Sequence, residues 1–384
     1  MNIEQANNLL LESASRLNND TLNFSLISSV PKISASEITD ALNQARTILK
    51  SLPITINTNS EKSWKISKEE IVDWIKFEPK EMASGAILNL TIDENAVKEY
   101  LEQKSLLVNQ QPLNASLKII GGEIATSTPA QKGVALDVDS SVKIIARDLL
   151  EGRNQLSLII NKTAPIINDE NFISLGLTSL LGQGETTFDG STAPRNENIK
   201  LAAAKFNGVL LAPGEEFIFG DLLGDVGPEQ GYRSATVIKD GKKVQEYGGG
   251  ICQVSTTAFR GAVKAGLKIT ERRNHSIAIP VYAPQGFDAT VYPPNPDFRF
   301  INDTSNNVLI QTKIKGYKLI FEFYGTKEWD EVKLIGPTEY DKKEDGSMKA
   351  ILSREIIKDG AVVKKDTWRS TYKPTKEAPV NPLQ

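Results

Sequence analysis

Cysteine and histidine are almost absent from this chain, with one residue of each among 384. A single cysteine cannot form an internal disulfide, and zinc sites built from these residue types need three or four ligands. No run of 18 apolar residues occurs, and the first five residues lack the basic and apolar regions of a signal peptide. The net charge of −3 provides no broad basic surface. We therefore expect no metal, no nucleic-acid partner and no membrane contact by the chain itself.

What the chain does contain is typical of a globular protein. Hydrophobic residues make up 40% and charged residues 24%, and 384 residues exceed a single ordinary core. Glycines at 224, 227 and 231 match no dinucleotide fingerprint, and no phosphate-binding lysine follows them. The sequence predicts two or three domains and no cofactor.

The N-terminal half contains two similar patterns. Residues 3–33 and 138–167 each show an amphipathic helix, then alternating apolar residues, then a proline. Any helix followed by a strand gives a comparable pattern, so a repeat and a coincidence both remain open. Between them, Ser67 and Glu70 form a predicted capping box, as do Ser34 and Glu37. We predict a partial repeat at 1–33 and an α+β domain at 34–170.

The composition changes near residue 170. The stretch 182–196 is typical of a loop, and Asn196 is expected to cap a helix that stops at Gly208. From residue 275 onward, apolar residues alternate as in β-strands, with hairpin turns at 315–316 and 359–360. The predicted fold class is α+β and multi-domain: helix-plus-small-sheet repeats, a β-rich α+β domain at 185–325, and a C-terminal β-hairpin extension with a tail at 326–384.

The single cysteine, Cys252, and the single histidine, His275, fall in one short segment. Val254, Ala258 and Ala262 share a helical face, which predicts that Cys252 lies in the first turn of a helix. There the helix dipole and unpaired N–H groups favour the thiolate, and a nearby imidazole can take and return a proton. A lone cysteine is also commonly a small buried apolar residue. Nucleophile and core residue are both open at this point.

Residues around this pair supply the other expected parts of a site. His275 is predicted to begin a strand, and Asp288 on an adjoining strand would orient its ring, or would simply be a turn residue. Arg273 is a candidate for binding an acidic group, or belongs to a solvated charge cluster. The polar residues after the thiol would donate to an oxyanion or satisfy backbone groups at the helix start. The candidate catalytic residues are Cys252, His275 and Asp288, and the candidate oxyanion and cleft residues are Gly248, Gly249, Gly250, Gln253, Ser255, Thr256 and Arg273.

Five runs of the sequence belong together: Arg195–Ile199, Gly208–Glu215, Gly248–Thr257, Glu271–Ser276 and Gly286–Val291. They resemble the VanW family, named for an accessory protein of vancomycin-resistance clusters. The resemblance covers residues 185–325, and GGGICQVSTT at 248–257 is its most specific part. Residues 1–170 resemble the peptidoglycan-binding repeats that commonly precede VanW domains.

The resemblance implies an extracellular bacterial protein at the cell wall, normally anchored at its N-terminus. Since no such anchor is evident, we expect that residue 1 is not the biological start or that the gene is truncated. We predict a wall-associated protein that binds peptidoglycan, with a candidate cysteine acyl-transfer site acting on stem peptides, as an amidase or transpeptidase would. The alternatives are a non-catalytic peptide-binding module, in which Cys252 is a buried helix residue, and an extracytoplasmic scaffold.

Overall fold

The computed structural model describes residues 3–16, 33, 35, 38–58, 62–82, 85–121, 123–239 and 242–374. The helices in these ranges are α1 (Ile3–Arg16), α2 (Thr39–Lys50), α3 (Lys68–Trp74), α4 (Glu94–Val108), α5 (Val138–Leu150), α6 (Ala193–Phe206), α7 (Phe219–Leu223) and α8 (Ile251–Lys264). Short 3₁₀ turns lie at Pro228–Gln230 and Pro280–Tyr282.

The strands in the same ranges form several small sheets rather than one large one. They are β1 (Ile54–Asn57), β2 (Ser63–Ile66), β3 (Ile75–Met82), β4 (Gly85–Ile92), β5 (Ser116–Ile120), β6 (Glu123–Thr128), β7 (Gly133–Leu136), β8 (Gln155–Ser157), β9 (Ile160–Thr163), β10 (Ser179–Thr187), β11 (Val209–Leu211), β12 (Glu216–Ile218), β13 (Ser234–Lys239), β14 (Lys242–Tyr247), β15 (Lys268–Glu271), β16 (Arg299–Ile301), β17 (Val308–Lys315), β18 (Lys318–Gly325), β19 (Glu331–Tyr340), β20 (Met348–Lys358) and β21 (Ala361–Tyr372).

The chain divides into two compact units. The first comprises Met1–Gln111 and Lys132–Thr163, and the second comprises Pro112–Gln131 and Ala164–Gln384. The α+β, multi-domain fold class is confirmed. The domain boundaries expected from the sequence remain predictions, but the β5–β6 hairpin between the two segments of the first unit belongs to the second unit.

The first unit packs α2, α4 and α5 around short sheets. In its three-stranded sheet, β1 pairs antiparallel with β2 and parallel with β8, while β3–β4 and β7–β9 are separate pairs. Ile54 and Ile56 of β1 alternate into the core. The capping box at α3 is confirmed, since Ser67 Oγ accepts from Glu70 N at 3.1 Å and Ser67 N donates to Glu70 Oε2 at 2.7 Å.

Only part of the predicted repeat lies within the described residues and can be compared with the structure. After α5, the single strand expected at residues 156–160 is instead divided between β8 and β9, which belong to different sheets. The strand and proline expected at residues 22–33, and the capping box of Ser34 and Glu37, lie outside the described residues. The repeat therefore stays a prediction.

The second unit is built around α8, which is buried along nearly its whole length. A four-stranded sheet, in the order β10-β18-β17-β11, packs against this helix. The loop expected at 182–196 is wrong over its first part, which is the end of β10. Its glycines permit close packing: a Cβ on Gly184 would lie 2.0 Å from Thr257 O of α8, and one on Gly182 would lie 2.3 Å from Ala265 N.

Other parts of the second unit refine the sequence interpretation. Helix α6 begins after Thr192 rather than at Asn196, and its buried face includes Ile199, Ala202, Ala203 and Phe206. The hairpins β17–β18 and β20–β21 are confirmed, but β19 joins the latter to make a three-stranded sheet. The strand expected at 275–281 is wrong, because this segment is irregular and runs into the 3₁₀ turn at 280–282. No helix within the described ranges has the length and hydrophobicity needed to cross a membrane.

Candidate active site

The glycine triplet forms a turn that leads directly into α8. Gly250 is the residue before the helix and has φ of +117°, a conformation that residues with a Cβ rarely adopt. A Cβ at this position would also lie 2.8 Å from Ile199 Cγ1 of α6. The buried side chain of Asn198 holds the turn from the other side, because its Nδ2 donates to Gly249 O at 3.0 Å. These contacts fix the place of Cys252, the second residue of the helix.

Cys252 is partly buried at the positive end of α8. Its Sγ lies 3.6 Å from Thr290 Oγ1 and 3.5 Å from Val291 O. The backbone N–H groups of Ile251 and Gln253 donate to Gly248 O and Gly250 O. The N–H of Cys252 itself donates to no protein acceptor within the described residues. One backbone donor beside the sulfur is therefore available to a ligand.

His275 and Asp288 form a buried pair, as the sequence predicted. His275 Nδ1 lies 2.6 Å from Asp288 Oδ2, and the backbone N–H of His275 donates to the same oxygen at 2.8 Å. An antiparallel bridge between Arg273 and Thr290 brings the two segments together, in place of the regular strand pair that was expected. With Nδ1 held by the carboxylate, Nε2 is left buried and without a hydrogen-bond partner.

Strand β21 and Arg272 support this carboxylate. Tyr372 OH donates to Asp288 Oδ1 at 2.6 Å and accepts from Gly286 N at 2.7 Å. Arg272 Nη2 also donates to Asp288 Oδ1, at 3.2 Å, while Arg272 Nη1 donates to Ser370 Oγ at 2.9 Å. Residues 361–372, predicted from the sequence only as a C-terminal extension, are therefore part of the site's framework.

The electrostatic couplings favour a thiolate beside a charged imidazole. Burial raises the pKa of the Cys252 thiol, but the nearby His275 and its charge lower the pKa more, so that it lies at about 7. Burial lowers the pKa of His275, but Asp288 and Cys252 outweigh this effect and raise the pKa to about 9. Burial opposes ionisation of Asp288 too, yet His275 and Arg272 hold its pKa well below the usual range. The shifts of Cys252 and His275 act in the same sense, because each favours the charged form of its group.

A cleft of about 810 Å³ opens at this pair. Cys252, His275, Gly248 and Gly250 line it, together with residues of the β13–β14 hairpin and of the segment 290–296. Tyr282 lies against the imidazole, with the two ring centroids 4.7 Å apart. The sulfur and the imidazole thus share one opening, which has room for a peptide-sized ligand.

The remaining predicted cleft residues have internal partners. Ser255 Oγ and Thr256 Oγ1 both donate to Ala289 O, at 2.7 and 3.1 Å. Gln253 Nε2 donates to Thr187 O at 2.7 Å. These three side chains are fully buried and hold α8 in place, and Gly249 is buried in the turn. Arg273 is exposed and does not line the cleft, whereas its neighbour Arg272 points inward to Asp288.

Arg195 and Tyr282 line the cleft but were assigned no role from the sequence. Arg195 is the first residue of the first run that resembles the VanW family, but the resemblance assigned it no role. Tyr282 belongs to none of the runs that resemble the VanW family, although it follows His275 closely in the chain. Among the described residues, no group of three or more His, Cys, Asp or Glu side chains is arranged to hold a metal ion.

Comparison with known proteins places this site in a family. Residues 194–324 match the family described as "VanW like protein", and residues 31–157 match the one described as "Putative peptidoglycan binding domain". The chain is 32% identical over 236 residues to "Uncharacterized protein YoaR" of Bacillus subtilis, which covers 61% of this chain and 76% of that protein. It therefore belongs to the VanW family, with a domain of the peptidoglycan-binding type ahead of its VanW-like domain, and has a cell-wall-associated role.

Two further similarities extend over less of the chain or are weaker. The chain is 30% identical over 138 residues to "Vancomycin B-type resistance protein VanW" of Enterococcus faecalis, which covers 34% of this chain and 49% of that protein. A solved L,D-transpeptidase of Enterococcus faecium matches at 9% identity, over 54% of this chain and 76% of that one, with a TM-score of 0.24. At that score the structural likeness supports no conclusion about this chain.

Proposed function

We propose that the second unit is a cysteine-dependent acyl-transfer enzyme that acts on amide bonds of peptidoglycan stem peptides. The observation that carries the proposal is the arrangement of Cys252, His275 and Asp288. A thiol with a lowered pKa faces the same cleft as an imidazole whose other nitrogen is held by a buried carboxylate. This is the set of parts that nucleophilic catalysis by cysteine requires.

In the proposed reaction, the Cys252 thiolate attacks the carbonyl carbon of an amide bond, and a C–S bond forms. The carbonyl oxygen becomes an oxyanion that accepts from the N–H of Cys252, the donor without a protein acceptor. His275 Nε2 gives its proton to the leaving nitrogen as the C–N bond breaks, which leaves a thioester. Water or an acceptor amine then attacks the thioester, its proton passes to His275, and the C–S bond breaks. Asp288 is a positioning residue that keeps Nε2 directed at the sulfur.

The peptidoglycan part of the proposal is supported by the family matched at residues 31–157, whose description names that polymer. The first unit would bind the wall while the second unit acts on it. The cell surface is the location that this pairing of domains favours.

The direct test is alkylation of the thiol by iodoacetamide between pH 4 and 9, followed by intact-protein mass spectrometry. Cys252 is the only cysteine, so each added mass reports on this residue alone. We expect half-maximal reactivity near pH 7. In His275→Ala, burial acts unopposed, and the midpoint should rise above the ordinary value of roughly 8.5, which makes labelling at pH 7 about 15-fold slower.

The matched control is Arg273→Ala, which removes an exposed neighbour that does not line the cleft. It should leave the midpoint unchanged, and circular dichroism should show that both variants are folded. A midpoint of 8.5 or higher in the parent protein, or one that does not respond to His275→Ala, contradicts the proposal and favours a cleft that only binds wall peptides. Product release from purified peptidoglycan, absent in Cys252→Ser, would identify the bond that is cut.

A further inference from the structure

The second unit contains four arginines with deeply buried side chains, and one of them differs from the rest. Arg260 donates to four backbone carbonyl groups, those of Glu185, Tyr282, Ala283 and Phe287. Arg272 and Arg354 each pair with an aspartate and also donate to backbone carbonyl groups. Each of these three guanidinium groups therefore has acceptors on every side within the protein.

Arg195 lacks such partners. It is 3% exposed, its Nη2 donates to the neutral amide oxygen Gln253 Oε1 at 3.2 Å, and its Nε is buried with no acceptor. It makes no ion pair with any described residue. The neighbouring phenol of Tyr282 supplies no negative charge, because burial raises its pKa to about 12 even though Arg195 acts to lower it.

A buried cation without an anionic partner is costly, and proteins keep one where a ligand completes it. Arg195 lines the same cleft as Cys252 and His275. A guanidinium presents its N–H groups as a planar fork that matches the two oxygens of a carboxylate. The cleft thus combines the proposed nucleophile with a buried guanidinium whose geometry suits a carboxylate.

We infer that Arg195 binds a carboxylate of the peptide substrate and so selects peptides that carry a free carboxylate next to the bond that Cys252 attacks. This inference rests on the proposed acyl-transfer site, since it names the substrate class of that site. A phosphate group of a wall polymer would bring similar charge, so the test has to separate the two sources.

The experiment measures binding rather than turnover. In Cys252→Ser, which cannot form the thioester, isothermal titration calorimetry compares a synthetic stem tetrapeptide ending in a free carboxylate with the same peptide ending in a carboxamide. Inorganic phosphate is titrated in parallel. We expect the acid to bind ~10- to 100-fold more tightly than the amide, the usual effect of a charge-assisted hydrogen-bonded pair. Arg195→Gln on this background should abolish the preference, and Arg195→Lys should keep only part of it.

The control is Arg233→Gln, which removes an arginine that is 64% exposed and pairs with Glu197 at the surface. It should leave the preference for the acid intact. Equal binding of acid and amide, no binding of either, or a preference that survives Arg195→Gln would each overturn the inference. So would phosphate binding that depends on Arg195 without discrimination between the peptides.

The two proposals can fail separately. A preference for the acid that depends on Arg195, in a protein whose thiol proves unreactive, supports the carboxylate site and contradicts the acyl-transfer activity. A reactive thiol in a cleft that binds acid and amide equally supports the acyl-transfer activity and contradicts the carboxylate site. Should Arg195→Gln fail to fold, Arg195→Lys on the same background decides the point, because a full preference for the acid in that variant would contradict the inference.

Discussion

The two units of the molecule handle charge in different ways. In the described part of the first unit, every ion pair has a partner that is more than half exposed, as in Lys98 with Asp139, where Asp139 is 76% exposed. In the second unit, Arg272 and Asp288 pair with side-chain exposures of 3% and 1%. Exposed pairs contribute little to stability, whereas buried ones carry a desolvation penalty and tolerate no missing partner. The ion pairs of the first unit therefore contribute little to its fold, whereas the Arg272–Asp288 pair of the second unit belongs to a buried network.

The distinction has a chemical consequence. Within this network His275 Nδ1 is held by Asp288, and Nε2 is left without a partner. His275 and Arg195 both line the cleft, and each has one buried nitrogen that makes no hydrogen bond. Two of the seven buried side-chain atoms without a partner in the described residues therefore belong to residues of the cleft.

The largest effect that tests this comparison should come from Asp288→Asn. The change leaves Arg272 buried without its carboxylate and disturbs His275 and Tyr372 at once, so the free energy of unfolding should fall by about 3–5 kcal/mol in urea denaturation at pH 7. The matched change in the first unit, Asp139→Asn, should produce no measurable loss. Similar losses in the two variants would remove the contrast between the units.

The pH dependence of the same variant has a definite sign. The folded pKa of Asp288 is depressed, so its stabilisation is fully present above the unfolded value of roughly 3.9 and declines as pH falls through the folded pKa. The difference between parent and Asp288→Asn should therefore be largest near neutral pH and shrink in acid. A difference that grows toward low pH would contradict the ionised state assigned to Asp288.

A smaller effect is expected from glycines of the two units. Gly250→Ala imposes a positive φ on a residue with a Cβ and places that atom 2.8 Å from Ile199 Cγ1, for an expected cost of about 3 kcal/mol. Gly152 of the first unit also has a positive φ, +74°, but its nearest neighbour would be Thr47 Cγ2 at 3.7 Å. Gly152→Ala should cost about 1 kcal/mol. Calorimetric melting of both variants measures the difference, and equal costs would show that the packing of the glycine turn contributes nothing.

Local signals in the sequence were enough for parts of this structure. The capping box of Ser67 and Glu70 depends on four consecutive residues. The placement of Cys252 in the first turn of α8 depends on glycines followed by a helical face. The pairing of His275 with Asp288 also followed from short-range reasoning, since an antiparallel return brings residues 13 positions apart together. In each case the partners are near neighbours in the chain.

What the sequence could not predict depends on distant partners. The exposed Arg273 and the inward Arg272 are adjacent and chemically alike, and what separates them is that Arg272 reaches Asp288 and, about 100 residues later, Ser370 on β21. The glycines at 182 and 184 are typical of a loop unless a helix is known to pack against them. Arg195 is identified as unusual only when its partners can be compared with those of three other buried arginines. Each of these distinctions is set by tertiary packing and not by local pattern.

The smallest expected effect tests the role of the C-terminal strand as a positioning element. Tyr372→Phe removes one hydroxyl that donates to Asp288 Oδ1 and accepts from Gly286 N, so stability should fall by about 1–3 kcal/mol. Because Asp288 loses a donor, its pKa should rise, and acid unfolding should begin at higher pH. Tyr340→Phe, on β19 of the same sheet and 42% exposed, is the matched control and should change neither quantity. A loss of stability without a shift of the acid midpoint would mean that Tyr372 stabilises the sheet but does not lower the pKa of Asp288.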